Sequence, residues 1–268
     1  MKKNNFLVIS RVVVAYILWL IIHFGFDFLV GDKLSGKVPY ILEMLLSSVI
    51  VPYIIGLPLI YLILKGMDKY SYEDGLDSRG TFLNDDGVLR VSGLFKAFAV
   101  QEGFSMPVIV ISTIILNILG HGPSGISKEE IFGEYWWYYL IILLGFAPII
   151  EECLFRKILL DRLLVIGVKP GIIISAILFA LPHVISQGIP QMFGTFIIGL
   201  VWAYVRVKTG KLWPGIILHI LFNLYGSYFS LFMGSTIPTT MLLMLINVII
   251  LPIIAVIITI KFAKGVRP

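Results

Sequence analysis

The chain has 268 residues, of which 58% are hydrophobic and only 14% charged, and its mean hydropathy is +0.97. Soluble domains average about 45–50% apolar and about 25% charged residues, so this chain has too few polar side chains to cover a water-facing surface. The composition excludes disordered, collagen-like, disulfide-stapled and nucleic-acid-binding proteins, in spite of a formal net charge of +5. We therefore predict an all-α polytopic membrane protein.

Eight apolar runs are long enough to be transmembrane helices, which need about 20 mostly apolar residues. In chain order they cover residues 8–30, 39–64, 100–119, 134–155, 171–187, 190–206, 213–233 and 238–261. We expect them to pack as one bundle, so that residues 1–268 form a single integral membrane domain. The first run follows two lysines, as in a signal peptide, but it contains Arg11 and no small-x-small cleavage pattern, which favours a retained helix.

The positions of the basic residues predict the orientation of the chain. With the N-terminus inside, only three of the 21 lysines and arginines fall in outside segments, namely Lys33, Lys37 and Lys128. The other 18 fall inside, which is a strong positive-inside bias. Both termini are therefore expected in the cytoplasm, and the compact loops favour a bacterial plasma membrane. The longest loop, about residues 65–99, is predicted to be cytoplasmic and solvated, with a short interfacial helix at 91–98.

Three polar motifs interrupt the apolar runs, each in a different run. They read EECLFR at 151–156, FALPH at 179–183 and HILFN at 219–223. Ionisable groups are costly inside a bilayer, so each motif marks candidate functional residues. Residues four apart share one face of a helix, so the last residue of each motif lies on the same side as the residue four positions before it.

The glutamate pair suggests two different tasks for adjacent carboxylates. Glu152 and Arg156 are four residues apart and are predicted to form an ion pair. Glu151 points about 100° away on the helix, which leaves it as a candidate general base. Glu151 and His183 are each 16 residues from residue 167 in the predicted turn, roughly 24 Å along a helix, so they should be level. We expect a site inside the membrane that opens toward the cytoplasm.

The three motifs resemble the pattern of the type II CAAX prenyl endopeptidase and bacteriocin-processing (CPBP, Abi) intramembrane proteases. That pattern reads E-E-x-x-x-R, F-x-x-x-H and H-x-x-x-N on separate helices, and all three parts match in order within a core of about residues 134–230. The resemblance implies hydrolysis of a peptide bond in a membrane-associated peptide or protein. Most bacterial relatives are not expected to process prenylated proteins, so maturation of a peptide signal or bacteriocin, or self-immunity, is favoured over CAAX cleavage.

The resemblance also implies a role for each motif residue. Glu151 resembles the general base that activates water, and His183 resembles its partner in positioning that water. His219 and Asn223 resemble the groups that stabilise the oxyanion, but an asparagine in a membrane helix at least as commonly bonds a neighbouring helix. The residues that it marks as supporting the site are Glu152, Arg156 and Phe179.

Two alternatives stay open at this point. We expect no cofactor, but Glu151, His183 and His219 could instead form a zinc site of two histidines and one carboxylate, with water in the fourth position. The chain has no H-E-x-x-H motif, which removes the commonest zinc-protease arrangement. The same polar cluster could also belong to a non-catalytic immunity protein, sensor or binding scaffold in the bilayer.

Three further polar residues lie in or beside the apolar runs. Cys153, the single cysteine, follows the glutamates, but a thiol nucleophile is disfavoured because no histidine lies near it in sequence. The sequence gives no role for Glu43 in the second run or Glu102 at the start of the third.

Overall fold

The computed structural model describes residues 2–72, 80–84, 88–120 and 126–264. Parts of the loop predicted at 65–99 therefore lie outside the described residues. Within them the chain is almost entirely helical, and the only extended pairing is an isolated bridge between Leu83 and Leu89. The predicted all-α class is confirmed.

Eight helices in the described part of the chain are long and apolar enough to cross a membrane, which confirms the predicted number. In chain order they are α1 (Asn5–Gly31), α2 (Tyr40–Ile63), α3 (Val91–Ile118), α4 (Trp136–Ile166), α5 (Val168–Ser186), α6 (Ile189–Thr209), α7 (Trp213–Met233) and α8 (Ile237–Ala263). The protein is a multi-pass membrane protein.

Two of these helices extend beyond their predicted bounds by more than the others, and each contains a buried charged residue where the sequence suggested a helix end. Helix α3 begins at Val91, so the predicted interfacial helix 91–98 is its first part. It continues through Glu102, which is 0% exposed. Helix α4 runs on to Ile166 rather than ending at 155, since Arg162 in this extension is buried.

The chain divides into two compact units, which we describe separately. The first unit contains Met1–Tyr70 and Lys157–Gly171. In it α1 packs against α2. The Trp19 indole N–H donates to the carbonyl of Pro52 over 2.7 Å, which satisfies an indole that is buried between the two helices. The prediction of a single domain stays a prediction.

The second unit contains Ser71–Arg156 and Ile172–Pro268, and all three polar motifs lie in it. Helix α3 packs against α6 and α8, and α7 packs against the part of α4 that carries the glutamates. Glycine permits one of these close approaches, because a Cβ on Gly199 of α6 would lie 3.2 Å from the Ala176 Cα of α5. This packing brings α4, α5, α6 and α7 around one polar cluster.

Candidate active site

The cluster begins with a buried ion pair in α4. Glu152 and Arg156 are both 0% exposed, and the Arg156 Nε lies 3.5 Å from the Glu152 Oε2. The ion pair predicted from their spacing is therefore present. Arg156 also donates from Nη1 to the Ser175 hydroxyl of α5 over 3.4 Å. Ser175 in turn donates to the carbonyl of Phe155, so the arginine is connected to both helices.

Two aromatic rings complete the surroundings of the arginine. Its guanidinium carbon lies 4.6 Å from the ring centroid of Phe179 and 5.8 Å from that of Trp202. A planar guanidinium packs well on aromatic faces, which lowers the free-energy cost of burying its charge. Phe179, marked as a supporting residue by the sequence, therefore contacts the ion pair directly.

A glycine in α7 makes room for the second glutamate. A Cβ on Gly215 would lie 2.7 Å from the Glu152 Oε2, closer than a real Cβ approaches another heavy atom. Any side chain at this position would displace the carboxylate. Gly215 could not be recognised from the sequence, because a glycine near the start of an apolar helix gives no signal of what it packs against.

His219 lies with a carboxylate on each side of its ring. Its Nε2 is 3.9 Å from the Glu151 Oε2, and its Nδ1 is 3.9 Å from the Glu152 Oε1. Both distances are longer than a hydrogen bond, although catalytic hydrogen bonds often tighten only when substrate binds. The side chain of Glu151 is 18% exposed and that of Glu152 is 1% exposed. The two glutamates thus differ in access to solvent, as their predicted tasks require.

The ring of His219 is held by aromatic contacts that the sequence did not reveal. Trp202 of α6 stacks on it, with centroids 4.4 Å apart and planes 29° apart. The Trp202 indole N–H donates to the Gln101 Oε1 over 2.6 Å. Gln101 then donates from Nε2 to the carbonyl of Leu218 and to the Glu102 Oε1, each over 3.2 Å. This buried network connects α3, α6 and α7, and it gives Glu102 a hydrogen-bonding partner.

His183 is oriented by its own helix. Its Nδ1 lies 3.0 Å from the carbonyl of Phe179, one turn earlier in α5. A carbonyl oxygen can only accept, so the Nδ1–H donates and the Nε2 of the neutral ring is left as an acceptor. His183 is therefore bonded to Phe179, the residue with which it was predicted to share a helix face.

Asn223 links α7 to α4. Its Nδ2 donates to the carbonyl of Leu143 over 2.8 Å. A side-chain amide carries two N–H groups, and this bond uses one of them. Asn223 therefore bonds a neighbouring helix, which was the alternative expected for this amide, and its role in oxyanion stabilisation stays a prediction.

Three of the predicted catalytic residues border one cavity of about 300 Å³, namely His183, His219 and Asn223. Glu151 does not line this cavity, and it approaches it through His219. A larger cavity of about 360 Å³ has an almost purely apolar lining and contains none of the motif residues. We place the candidate site at the smaller cavity, because polar groups that converge on a pocket are what a reaction requires.

The lining of the cavity reaches one end of the spanning helices. It includes Ile126 and Gln187, which lie between spanning helices on the side away from the α6–α7 turn at Gly210, and the expected opening toward the cytoplasm stays a prediction. His183 lies three residues before the end of the 19-residue helix α5, so a depth of roughly 24 Å from residue 167 brings it near the far side.

The alternative zinc site has no preformed group of ligands in the part of the chain that the structure describes. Among these residues, no three histidine, cysteine, aspartate or glutamate side chains are grouped so that they could hold one metal ion. The zinc site therefore stays a prediction, and no step of the proposed reaction is assigned to a metal.

Comparison with protein-family models gives one match in this part of the chain. Residues 133–225 match the Rce1-like model, described as type II CAAX prenyl endopeptidase Rce1-like. The matched segment contains all three polar motifs, and the resemblance seen in those motifs is confirmed. No curated protein and no solved structure matches the chain.

Proposed function

We propose that this membrane protein, whose residues 133–225 carry the domain of the Rce1-like type II CAAX prenyl endopeptidases, hydrolyses a peptide bond by glutamate-activated water. The family match supports a protease that acts on a membrane-associated peptide or protein. The observation that carries the finer proposal is the position of the His219 ring, 3.9 Å from the carboxylates of Glu151 and Glu152 on its two sides. Such a group can position water and stabilise developing charge in one place.

Water attack would begin with proton transfer to Glu151. As the water oxygen forms a bond to the substrate carbonyl carbon, its proton moves to the Glu151 carboxylate. The Nε2 of His183 accepts a hydrogen bond from the same water and fixes its direction. His219 and Asn223 donate to the oxyanion. When the C–N bond breaks, Glu151 returns the proton to the leaving amine, which balances the reaction.

Glu152 and Arg156 would keep the histidine in place. Glu152 faces the Nδ1 of His219, and Arg156 compensates the buried charge of Glu152. A buried ion pair is costly to break, because either charge left alone in a low-dielectric interior is strongly unfavourable. The pair therefore fixes the orientation of the His219 ring without taking part in proton transfer.

The test is cleavage of a panel of membrane-associated peptides, prenylated and unprenylated, by purified protein and its Glu151→Gln variant. This change is nearly isosteric and removes the base, so we expect cleavage to fall about 100- to 10,000-fold while the melting temperature is kept. The matched control is Glu129→Gln, which alters an exposed carboxylate in the short helix Lys128–Phe132. Cleavage by that variant should equal that of the wild type.

Other outcomes of the cleavage experiment would contradict the proposed mechanism or define the substrate. If Glu151→Gln cleaves as fast as the wild type, the proposed base is wrong. If a chelator stops cleavage and zinc restores it, Glu151, His183 and His219 become metal ligands instead. If no peptide in the panel is cleaved, a non-catalytic immunity, sensor or scaffold protein becomes the better hypothesis. Maturation of a peptide signal or bacteriocin is favoured if only unprenylated peptides are cleaved.

A further inference from the structure

The cavity beside the histidines has two distinct ends. At one end lie His183, His219 and Asn223. At the other end the lining includes Ile126, which precedes the helix Lys128–Phe132, and Gln187, which lies in the turn between α5 and α6. The cavity therefore extends from the candidate site to a region outside the spanning helices.

This region is at one side of the membrane within the second unit. Consecutive spanning helices cross in opposite directions, so the segment before α4, the α5–α6 turn and the α7–α8 turn share one side. The start of α3, the Gly210 turn between α6 and α7, and the end of α8 share the other. We call the first the cavity side and the second the turn side.

The two sides carry opposite charge. Seven basic residues among the described residues of the second unit lie at or near the turn side: Arg90, Lys96, Arg206, Lys208, Lys211, Lys261 and Lys264. On the cavity side, Lys128 is the only described basic residue of this unit, and it is accompanied by Glu129, Glu130 and Glu134. Lysine and arginine accumulate in cytoplasmic segments, so the turn side corresponds to the cytoplasm and the cavity side to the exterior.

The lining of the cavity indicates what it would bind. The lining is mixed, with apolar side chains such as Ile109, Ile198 and Leu243 beside six hydroxyl and amide side chains outside the motifs: Gln187, Gln191, Thr195, Ser227, Ser230 and Asn247. Thr195 is only 1% exposed, and its Oγ1 has no hydrogen-bond partner among the described residues. A buried polar group of this kind costs free energy until it is bonded, so it favours an occupant with hydrogen-bonding groups. A peptide backbone supplies them along its whole length, whereas an isoprenoid chain supplies none.

We infer that the substrate of this site is an unprenylated peptide segment that enters from the extracytoplasmic side, through the opening lined by Ile126 and Gln187. This inference rests on the proposed proteolytic function. The substrate class that follows is an exported peptide, or an externally exposed segment of another membrane protein. Cytoplasmic chain ends, including prenylated ones, lie on the turn side and do not reach this opening.

The test uses single cysteines in membrane vesicles of both orientations. In a Cys153→Ala parent, Gln187→Cys places a thiol at the cavity opening, and Lys264→Cys places the matched control thiol at the exposed end of α8. A membrane-impermeant maleimide is added to right-side-out and to inverted vesicles. We expect Gln187→Cys to react only in right-side-out vesicles and to lose cleavage when modified. Lys264→Cys should react only in inverted vesicles and keep the parent's cleavage.

Peptide protection provides a second measurement that does not depend on turnover. An unprenylated peptide added outside should slow the modification of Gln187→Cys, and the same peptide with a farnesylated C-terminal cysteine should slow it no more. Reaction of Gln187→Cys only in inverted vesicles would overturn the inference, as would protection or cleavage only from the turn side. Protection from the cavity side with no cleavage would overturn the proposed function and leave the entry route supported.

Discussion

Two buried arginines lie six residues apart in α4, and their charges are compensated in different ways. Arg162, 2% exposed, donates from Nε to the carbonyl of Leu64 over 3.1 Å and from Nη1 to the carbonyl of Ile158 over 2.7 Å. Arg156 instead faces the carboxylate of Glu152 and two aromatic rings. Arg162 thus donates to main-chain carbonyls, with Asp161 next to it in sequence, whereas Arg156 is paired with a carboxylate of the candidate site.

This difference in partners distinguishes an arginine that stabilises the fold from one that contacts the candidate site. The carbonyl of Leu64 directly follows α2, where the last carbonyl oxygens have no partner within the helix, so an arginine that donates to it stabilises the fold. An arginine paired with a buried glutamate controls the charge and position of that glutamate, and here the glutamate faces a histidine of the candidate site. Burial of a charge does not identify a functional residue, but the nature of its partner does.

Replacing the two arginines by methionine should separate these tasks most clearly. Arg156→Met leaves Glu152 as an unpaired buried charge, which we expect to cost about 3–5 kcal/mol of stability and to abolish cleavage. Arg162→Met loses hydrogen bonds worth about 1.5–3 kcal/mol each, but the protein that remains folded should cleave normally. Thermal unfolding in detergent and cleavage per folded molecule measure both effects. Equal loss of cleavage in the two variants would contradict the comparison.

The double variant Glu152→Gln with Arg156→Met is a control within this prediction. It removes both charges, so part of the stability lost in Arg156→Met should return. Cleavage should stay low, because the carboxylate beside His219 is gone. If cleavage recovers together with stability, the charges of Glu152 and Arg156 only compensate each other and do not position His219.

Displacing the Glu152 carboxylate without changing its charge should have the next largest effect on the cleavage rate. In Gly215→Ala the added methyl displaces the Glu152 carboxylate, and a shift of about 1 Å in a group that positions His219 can cost about 100-fold in rate. The control is Gly145→Ala in α4, where a Cβ would meet nothing within 4 Å. Cleavage rates of the two variants, at equal folded concentration, test the prediction. A normal rate in Gly215→Ala would show that the position of Glu152 is unimportant.

A smaller effect is expected from the network behind His219. Gln101→Leu removes the acceptor of the Trp202 indole N–H, so the tryptophan loses the bond that fixes its stacking on the histidine. This change shifts the His219 ring but removes no group that takes part in the proposed reaction. We therefore expect about a 10-fold fall in kcat with little change in KM. Glu102→Gln is the matched variant, since its amide oxygen can still accept from Gln101. A larger loss in Glu102→Gln than in Gln101→Leu would assign the glutamate a role of its own.

An exposed carboxylate gives the smallest expected effect. Burial works to raise the pKa of Glu130, but hydrogen bonds involving Ser127 and Tyr139 hold it below its ordinary value. Its stabilising contribution is therefore present above the ordinary pKa of 4.5 and is lost as pH falls through the lower folded value. Glu130→Ala should lower stability by about 0.5–1 kcal/mol near neutral pH, and less in acid, with cleavage unchanged. Unfolding curves at several pH values measure this.

Local patterns predicted the spanning helices and the helical faces of the motifs, because hydropathy and i,i+4 spacing depend on nearby residues alone. The contacts of Trp202 could not be predicted in this way, since a tryptophan in an apolar run is usually a core residue. Gly215 gave no signal either, because its task depends on a carboxylate 63 positions earlier in the chain. Gln101 beside Glu102 was the one available hint of a buried network, but the sequence did not show its partners.

The hydrogen bond from Asn223 to the carbonyl of Leu143 has an entropic consequence. An amide side chain that rotates freely must lose that freedom when it aligns with a substrate, and this loss lowers the rate of reaction. Here one N–H is already bonded to a neighbouring helix, so the rotation of the amide is restricted on folding and the direction of its second N–H is set beforehand. In the proposed reaction, a donor arranged in this way would require no reorganisation as the oxyanion forms.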